Sequence, residues 1–223
     1  MARLNLESDL LNYIAHNGFK PGDRLPTINV LQNEQHLGVS ISKVREQLEV
    51  ARALGIVEVR SKTGMKLKEY SFTPAVRLSL FYALAVNPDH FEAFSTLRNH
   101  VEMAFWHEAC ALLTCEDFTE MRAQIEQARH KLSPSNGHIH IPYEEHRAFH
   151  LIVFRRLANP FVIGILEAYW DAYEAVEISR YADYGYHTNV WDYHERILKA
   201  IEDGDFDRAQ QLFNEHTTLR QHP

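Results

Sequence analysis

Cysteine is nearly missing from this chain, with two residues in 223, Cys110 and Cys115. Five positions apart, they suit neither a disulfide framework nor a thiolate metal motif, and both are expected as small buried side chains of a protein kept in a reducing compartment. No apolar run approaches the ~20 residues of a membrane span, and the opening MARLNLESDLL does not read as a secretory leader. The chain also lacks a phosphate-binding glycine loop, a Ser–His–Asp pattern, an internal repeat and any low-complexity tract. These absences argue against a secreted mini-protein, a membrane protein, a nucleotide hydrolase and a serine hydrolase. What remains is a cytoplasmic protein, 45% hydrophobic and 24% charged, with enough apolar residues for one or two cores.

Negative charge dominates overall, at −7, but unevenly. Up to Tyr70 there are 10 Lys+Arg against 8 Asp+Glu, and beyond it 13 against 22. A weakly basic front and an acidic back suggest different partners for the two parts.

The first seventy residues have a readable order. LESDLLNYIAHNG has helical spacing and stops at Gly18, and KPGDRLP is a connector. TINVLQNEQHLG reads as a short helix capped by Thr27. Ser40 caps the next, ISKVREQLEVARALG, whose Val44, Leu48, Ala51 and Leu54 form an apolar stripe. IVEVR and MKLKEY then read as two strands around the tip Ser61-Lys62-Thr63-Gly64. Three helices and a hairpin make a winged helix-turn-helix, with the helix opening at Ser40 directed to a major groove. A boundary is expected near Pro74, giving a winged domain over 1–72 and a second domain over 73–223.

From there onward every strong pattern has a 3.6-residue period, punctuated by Asn87-Pro88, Ser133-Pro134-Ser135-Asn136-Gly137, Asn159-Pro160 and Asp203-Gly204-Asp205. The expected fold is therefore mainly α, a winged helix-turn-helix followed by an all-α antiparallel bundle. Four of the 14 histidines in this chain stand out. His146 and His150, at i and i+4 in EEHRAFH, share one helix face. His194 and His216 lie about ten and twelve residues either side of Gly204, so a helical hairpin brings them to matched depth. Together they form a candidate four-ligand site for a divalent metal. His90, His100, His107, His130, His138, His140, His187 and His222 carry no such pattern and are read as ordinary histidines.

PGDRLPT, LGVS and VREQLEVARALGIVEVRSKTGMKL resemble the N-terminal domain of the GntR family of bacterial transcription regulators. LRNHVE, AFHLIVFRRLANP and HERILKAIEDGDFDRAQQLFNEH resemble the FCD effector domain of its FadR-type subfamily. The resemblance implies a homodimer, usually a repressor, on a double-stranded DNA operator. It places Ser40 and Arg45 on the recognition helix and Gly64 at the wing tip, beside Thr63 and Lys62. Two family arginines are replaced, by Ile41 and Asn29, while Asn29, Lys43 and Lys66 keep polar or cationic groups on that surface.

In the bundle, the resemblance maps His150, His194 and His216 onto three metal ligands of the FCD domain and His146 onto a position that normally holds aspartate. Four imidazoles favour zinc first, with nickel or iron next, over harder ions, and acid near pH ~6.5 is expected to release the metal. Arg98 matches a cavity-facing arginine and is read either as a clamp for a small carboxylate effector or as the partner of Glu102 in an ion pair. Tyr143 and Tyr193 join it as effector-binding residues, with Tyr169, Trp170 and Tyr173 also able to shape a pocket. The expected function is a metabolite-responsive regulator and not an enzyme. The alternatives are a metal-free regulator resembling the acyl-CoA-binding branch and a histidine-metal hydrolase using Glu144 or Glu145 as base.

Overall fold

The computed structural model describes residues 4–33, 36–133, 140–176 and 184–219. Part of the Ser133–Gly137 loop, together with His138 and His222, lies outside the described residues. The chain divides into two compact units, 1–78 and 79–223, and is mainly α, as its pattern indicates. No helix is long and apolar enough to cross a membrane among the described residues.

The first unit opens with α1 (Asp9–His16), capped by Ser8, whose hydroxyl accepts from Leu11 N. α2 is a single turn (Ile28–Leu31), much shorter than TINVLQNEQHLG suggested. Thr27 stands at its N-cap but its side chain makes no capping bond. α3 (Ile41–Ala53) begins as expected, with Ser40 Oγ accepting from Lys43 N at 3.2 Å. β1 (Val57–Arg60) and β2 (Gly64–Leu67) pair antiparallel in the register Val57↔Leu67 to Arg60↔Gly64. Gly64 closes the tip at φ 75°, a left-handed conformation open to glycine at little cost.

Leu10, Ile14, Leu25, Leu31, Val44, Leu48, Ala51, Val57 and Met65 form this unit's core. Gln47 interrupts the apolar stripe of α3 yet is buried. Its Oε1 accepts from Leu10 N at 2.8 Å and its Nε2 donates to Asp9 Oδ2 at 3.0 Å. One amide thus satisfies a donor at the start of α1 and ties α1 to α3.

Pro74, read as an interruption, is instead the second residue of α4 (Thr73–Val86). Proline is tolerated in a first turn because the missing N–H has no intrahelical partner there. The division at Leu78 consequently falls inside a helix and not in the linker expected near residue 72.

The second unit continues through α5 (His90–Ala111), α6 (Cys115–Leu132), α7 (Tyr143–Phe154), α8 (Pro160–Ala175), α9 (Tyr184–Glu202) and α10 (Phe206–Thr218). Asn159 and Asp205 cap α8 and α10 through their side chains. Gly204, at φ 77°, turns α9 into α10, as the Asp-Gly-Asp breaker predicts. α7 packs against α5, α6 and α8, while α10 packs against α9 and α5. The core includes Trp106, Phe149, Phe154, Trp191, Ile197 and Phe213. Asp117, fully buried near the start of α6, accepts from Thr114 and from Arg155 and Arg156 beyond α7, locking those two ends together. Cys110 is buried, but Cys115 is exposed as the first residue of α6, contrary to its expected burial.

Gln47→Ala leaves Leu10 N buried without its acceptor, a loss of about 1–3 kcal/mol. Chemical denaturation of the parent and the variant checks this, with a change below ~0.5 kcal/mol counting against it.

Candidate functional site

α7, α9 and α10 bring the four histidines together. One ring nitrogen from each of His146, His150, His194 and His216 lies within 4.8 Å of the others, and no other such group of histidine, cysteine and carboxylate side chains occurs among the described residues. Ring centroids are 4.6–5.6 Å apart. His150, His194 and His216 are buried and His146 is half-buried. The i,i+4 pair on α7 meets the two matched-depth histidines of the α9–α10 hairpin, as their spacing suggested.

Aromatic rings hold the imidazoles in place. Phe149 lies 4.3 Å from His194, Trp191 4.7 Å from His194, and Trp170 4.8 Å from His146 and 4.9 Å from His150. Glu145 points elsewhere and is gripped by Lys131 at 2.7 Å, so α7 offers an imidazole and no carboxylate at this face.

Beside the histidines, α5 contributes Arg98 and Glu102, both buried. Arg98 Nε is 2.7 Å from Glu102 Oε2 in a buried ion pair, and Glu102 Oε1 has no hydrogen-bond partner. Arg98 Nη2 reaches His150 Nδ1 at 2.8 Å, and its guanidinium carbon lies 4.6 Å from the Tyr169 ring centroid. Arg98 forms the ion pair with Glu102 that its spacing suggested, buried and not on an open helix face, and it also lines a cavity of about 150 Å³ that His146, His150 and His216 line.

Burial raises the Glu102 carboxyl to about 7, although Arg98 pulls it the other way. Burial and then the Arg98 charge hold His150 well below its usual value, burial and then His216 do the same to His194, and burial with Arg98 takes His216 down to about 3. The chain therefore presents neutral imidazoles, the form that binds metals.

Tyr143 and Tyr193 do not line this cavity. The Tyr143 hydroxyl donates to the Trp170 carbonyl, and the Tyr193 hydroxyl donates to Glu215 at 3.3 Å. Tyr143 instead stacks on Tyr173, which does line it, as do Tyr169 and Trp170. Sequence reasoning missed Ser95 and Asn99, one turn apart from Arg98 or adjacent to it on α5, although the i−3 position was a usable signal. Among the other histidines, His90 contacts the Ala83 carbonyl, His100 the Thr96 carbonyl and His107 the Asp207 carboxylate.

In the first unit, Asn29 on α2 and Ser40, Lys43 and Arg45 at the start of α3 are exposed. Lys62 and Gly64 are exposed and Thr63 half-buried at the hairpin tip, where all three share a groove with Thr27 and Ile28.

Residues 93–219 match the FCD domain family. The HTH-type transcriptional regulator LutR of Bacillus subtilis is 24% identical over 214 residues, covering 92% of this chain and 93% of that protein. The HTH-type transcriptional regulator McbR of Escherichia coli is 26% identical over 167 residues, covering 75% and 66%. Among solved structures, Streptococcus agalactiae GntR superposes with a TM-score of 0.61 at 19% identity, covering 94% of each chain. E. coli McbR/YncC gives 0.53 at 20% identity, covering 91% of this chain and 89% of that one. These two likenesses establish a shared fold. With a family match over more than half its length, this chain belongs to the FCD domain family.

Proposed function

We propose that this protein is a GntR-type, DNA-binding transcription regulator whose FCD domain holds a divalent metal and senses a small organic acid beside it. The single observation that carries the sensing half is the convergence of four imidazoles next to a buried arginine in one cavity. The DNA-binding half is supported by the exposed cations on α3 and the hairpin tip, and by relatives named as HTH-type transcriptional regulators. The FadR-type assignment, a homodimer and repression belong to this reading.

The donor set fits a metal. His150 Nε2 and His194 Nε2 stand 3.3 Å apart, and two nitrogens bound to one tetrahedral zinc at ~2.0–2.1 Å are separated by about the same distance. Zinc is the first choice for four neutral imidazoles, with nickel or iron next. When bound, the ion supplies a double positive charge undiminished by any ligand carboxylate, and so a strong attraction for an anion. His146 is what makes the set neutral.

Arg98 and the cavity select the ligand. A guanidinium favours a carboxylate over a neutral group, and a cavity near 150 Å³ accepts a molecule about the size of benzene. That favours a small organic acid over the acyl-CoA alternative. The hydrolase reading loses Glu145 as a base, since Lys131 holds it. Ligand binding alters operator affinity to the extent that it prefers one arrangement of the protein, with ~1–3 kcal/mol changing affinity roughly 5- to 150-fold.

A mobility-shift assay on DNA flanking the protein's own gene tests this reading. Arg45→Ala is expected to weaken specific binding by about 1–3 kcal/mol, and small organic acids to change binding only by metal-loaded protein. Unchanged binding by the variant removes the assigned DNA contact. Equal responses in chelator and in zinc remove the metal from the sensing mechanism.

The lowered imidazoles also alter the expected effect of acid. Within the folded chain they resist protonation well below pH 6.5, so acid acts first through unfolding. In metal-free protein the unfolded state gains three imidazole protons as pH falls through ~6.5, while the folded state gains one on Glu102 near 7 that the unfolded state takes up only near 4.5. Between pH ~6.5 and ~4.5 the unfolded state holds about two more protons, so stability falls as pH falls, by on the order of 3 kcal/mol per unit. Urea denaturation of chelated protein at pH 7, 6 and 5 measures this, and a flat or opposite trend contradicts it.

A further inference from the structure

The contact between Arg98 and His150 fixes a proton. A guanidinium only donates hydrogen bonds, so His150 Nδ1, 2.8 Å from Arg98 Nη2, is the acceptor and carries no hydrogen. A neutral imidazole then keeps its one proton on Nε2. That N–H faces His194 Nε2 at 3.3 Å and donates to it. His194 in turn carries its own proton on Nδ1, a buried atom without a hydrogen-bond acceptor. This is a self-consistent arrangement for the metal-free centre.

It is incompatible with an ion on Nε2 of His150, because one nitrogen cannot hold both a proton and a metal. With the ion on Nε2, the ring's proton belongs on Nδ1, where it meets Arg98 Nη2 donor against donor. The acceptor at hand is Glu102, whose Oε1 is 3.6 Å from Nδ1. Glu102 is fully buried and its Oε2 is taken up by Arg98 Nε at 2.7 Å, while Oε1 has no hydrogen-bond partner and keeps the capacity to accept from Nδ1.

We propose that Glu102 is the positioning residue of the centre, and that metal loading exchanges the partner of His150 Nδ1 from Arg98 to Glu102. The inference rests on the metal-binding reading above and concerns how that site is regulated. The ring loses a proton from Nε2 and gains one on Nδ1, so it stays neutral and the carboxylate remains an acceptor. A carboxylate behind a metal-bound imidazole fixes the ring's orientation and raises its basicity. The exchange also releases one guanidinium N–H, on Nη2 of Arg98, which lines the cavity. An anionic ligand thereby gains a donor that the metal-free chain spends on His150, and binding becomes ordered, metal first and anion second.

Long-range proton–nitrogen NMR spectra of the full chain carrying isotope-labelled histidine report which ring nitrogen is protonated. In chelator, His150 is expected with its proton on Nε2, and with one equivalent of zinc on Nδ1. Calorimetry with zinc alone adds a second readout: Glu102→Leu weakens binding about 10- to 100-fold, whereas Glu102→Gln, which keeps an accepting oxygen, stays close to the parent chain. Should Glu102→Leu fail to fold, the spectra of the parent chain decide. Zinc that binds while His150 keeps its Nε2 proton overturns the exchange and leaves the metal site standing. Zinc that does not bind overturns the metal reading and the exchange with it.

Discussion

Imidazole rings are seldom placed deep in a helical core, because each brings two polar nitrogens away from water. Here three are buried and a fourth is half-buried, beside an arginine and a glutamate that are themselves enclosed. The surrounding bundle is arranged around that group. α7 supplies two rings one turn apart, the α9–α10 turn at Gly204 sets two more at equal depth, and α5 brings the buried cation Arg98. Phe149, Trp170 and Trp191 fill the space between the rings and restrict their rotation. Polar atoms buried this way are costly unless satisfied, and the buried Nδ1 atoms of His194 and His216 lack hydrogen-bond partners. A shared ion would fix the orientation of all four rings at once.

The charge balance follows from the residue types. Burial favours neutral histidines, and Arg98 reinforces this by its own charge. Glu102 answers Arg98 but is pushed toward protonation by the same burial. With histidine at position 146, the centre contains no carboxylate ligand to offset a bound cation. A neutral donor set therefore supports both halves of the sensing proposal: preference for borderline metals over hard ones, and a strong residual field for an anion.

Much of this was legible in the chain. The period of 3.6 and the Asp-Gly-Asp breaker foretold the bundle, and the i,i+4 spacing of His146 and His150 depends only on helix geometry. The readings that failed did so for local physical reasons. Pro74 looked like a break because proline disrupts a helix interior, whereas it occupies a first turn. Gln47 drew no reading at all, since nothing in its neighbours reveals the donor that Leu10 presents from 37 residues away. An Arg and a Glu four apart usually form an exposed pair, so the burial of Arg98 and Glu102 became visible only once α8 and α10 packed against α5. Tyr143 and Tyr193 shared a helix with a histidine, but their hydroxyls turn to other partners.

X-ray absorption at the metal edge, on protein purified without chelator or a metal-binding tag, examines the centre most directly. The account predicts a divalent ion whose first shell is nitrogen at about 2.0–2.1 Å with the outer scattering of several imidazoles. An oxygen-dominated shell, or protein that contains no ion and takes up none, would contradict it.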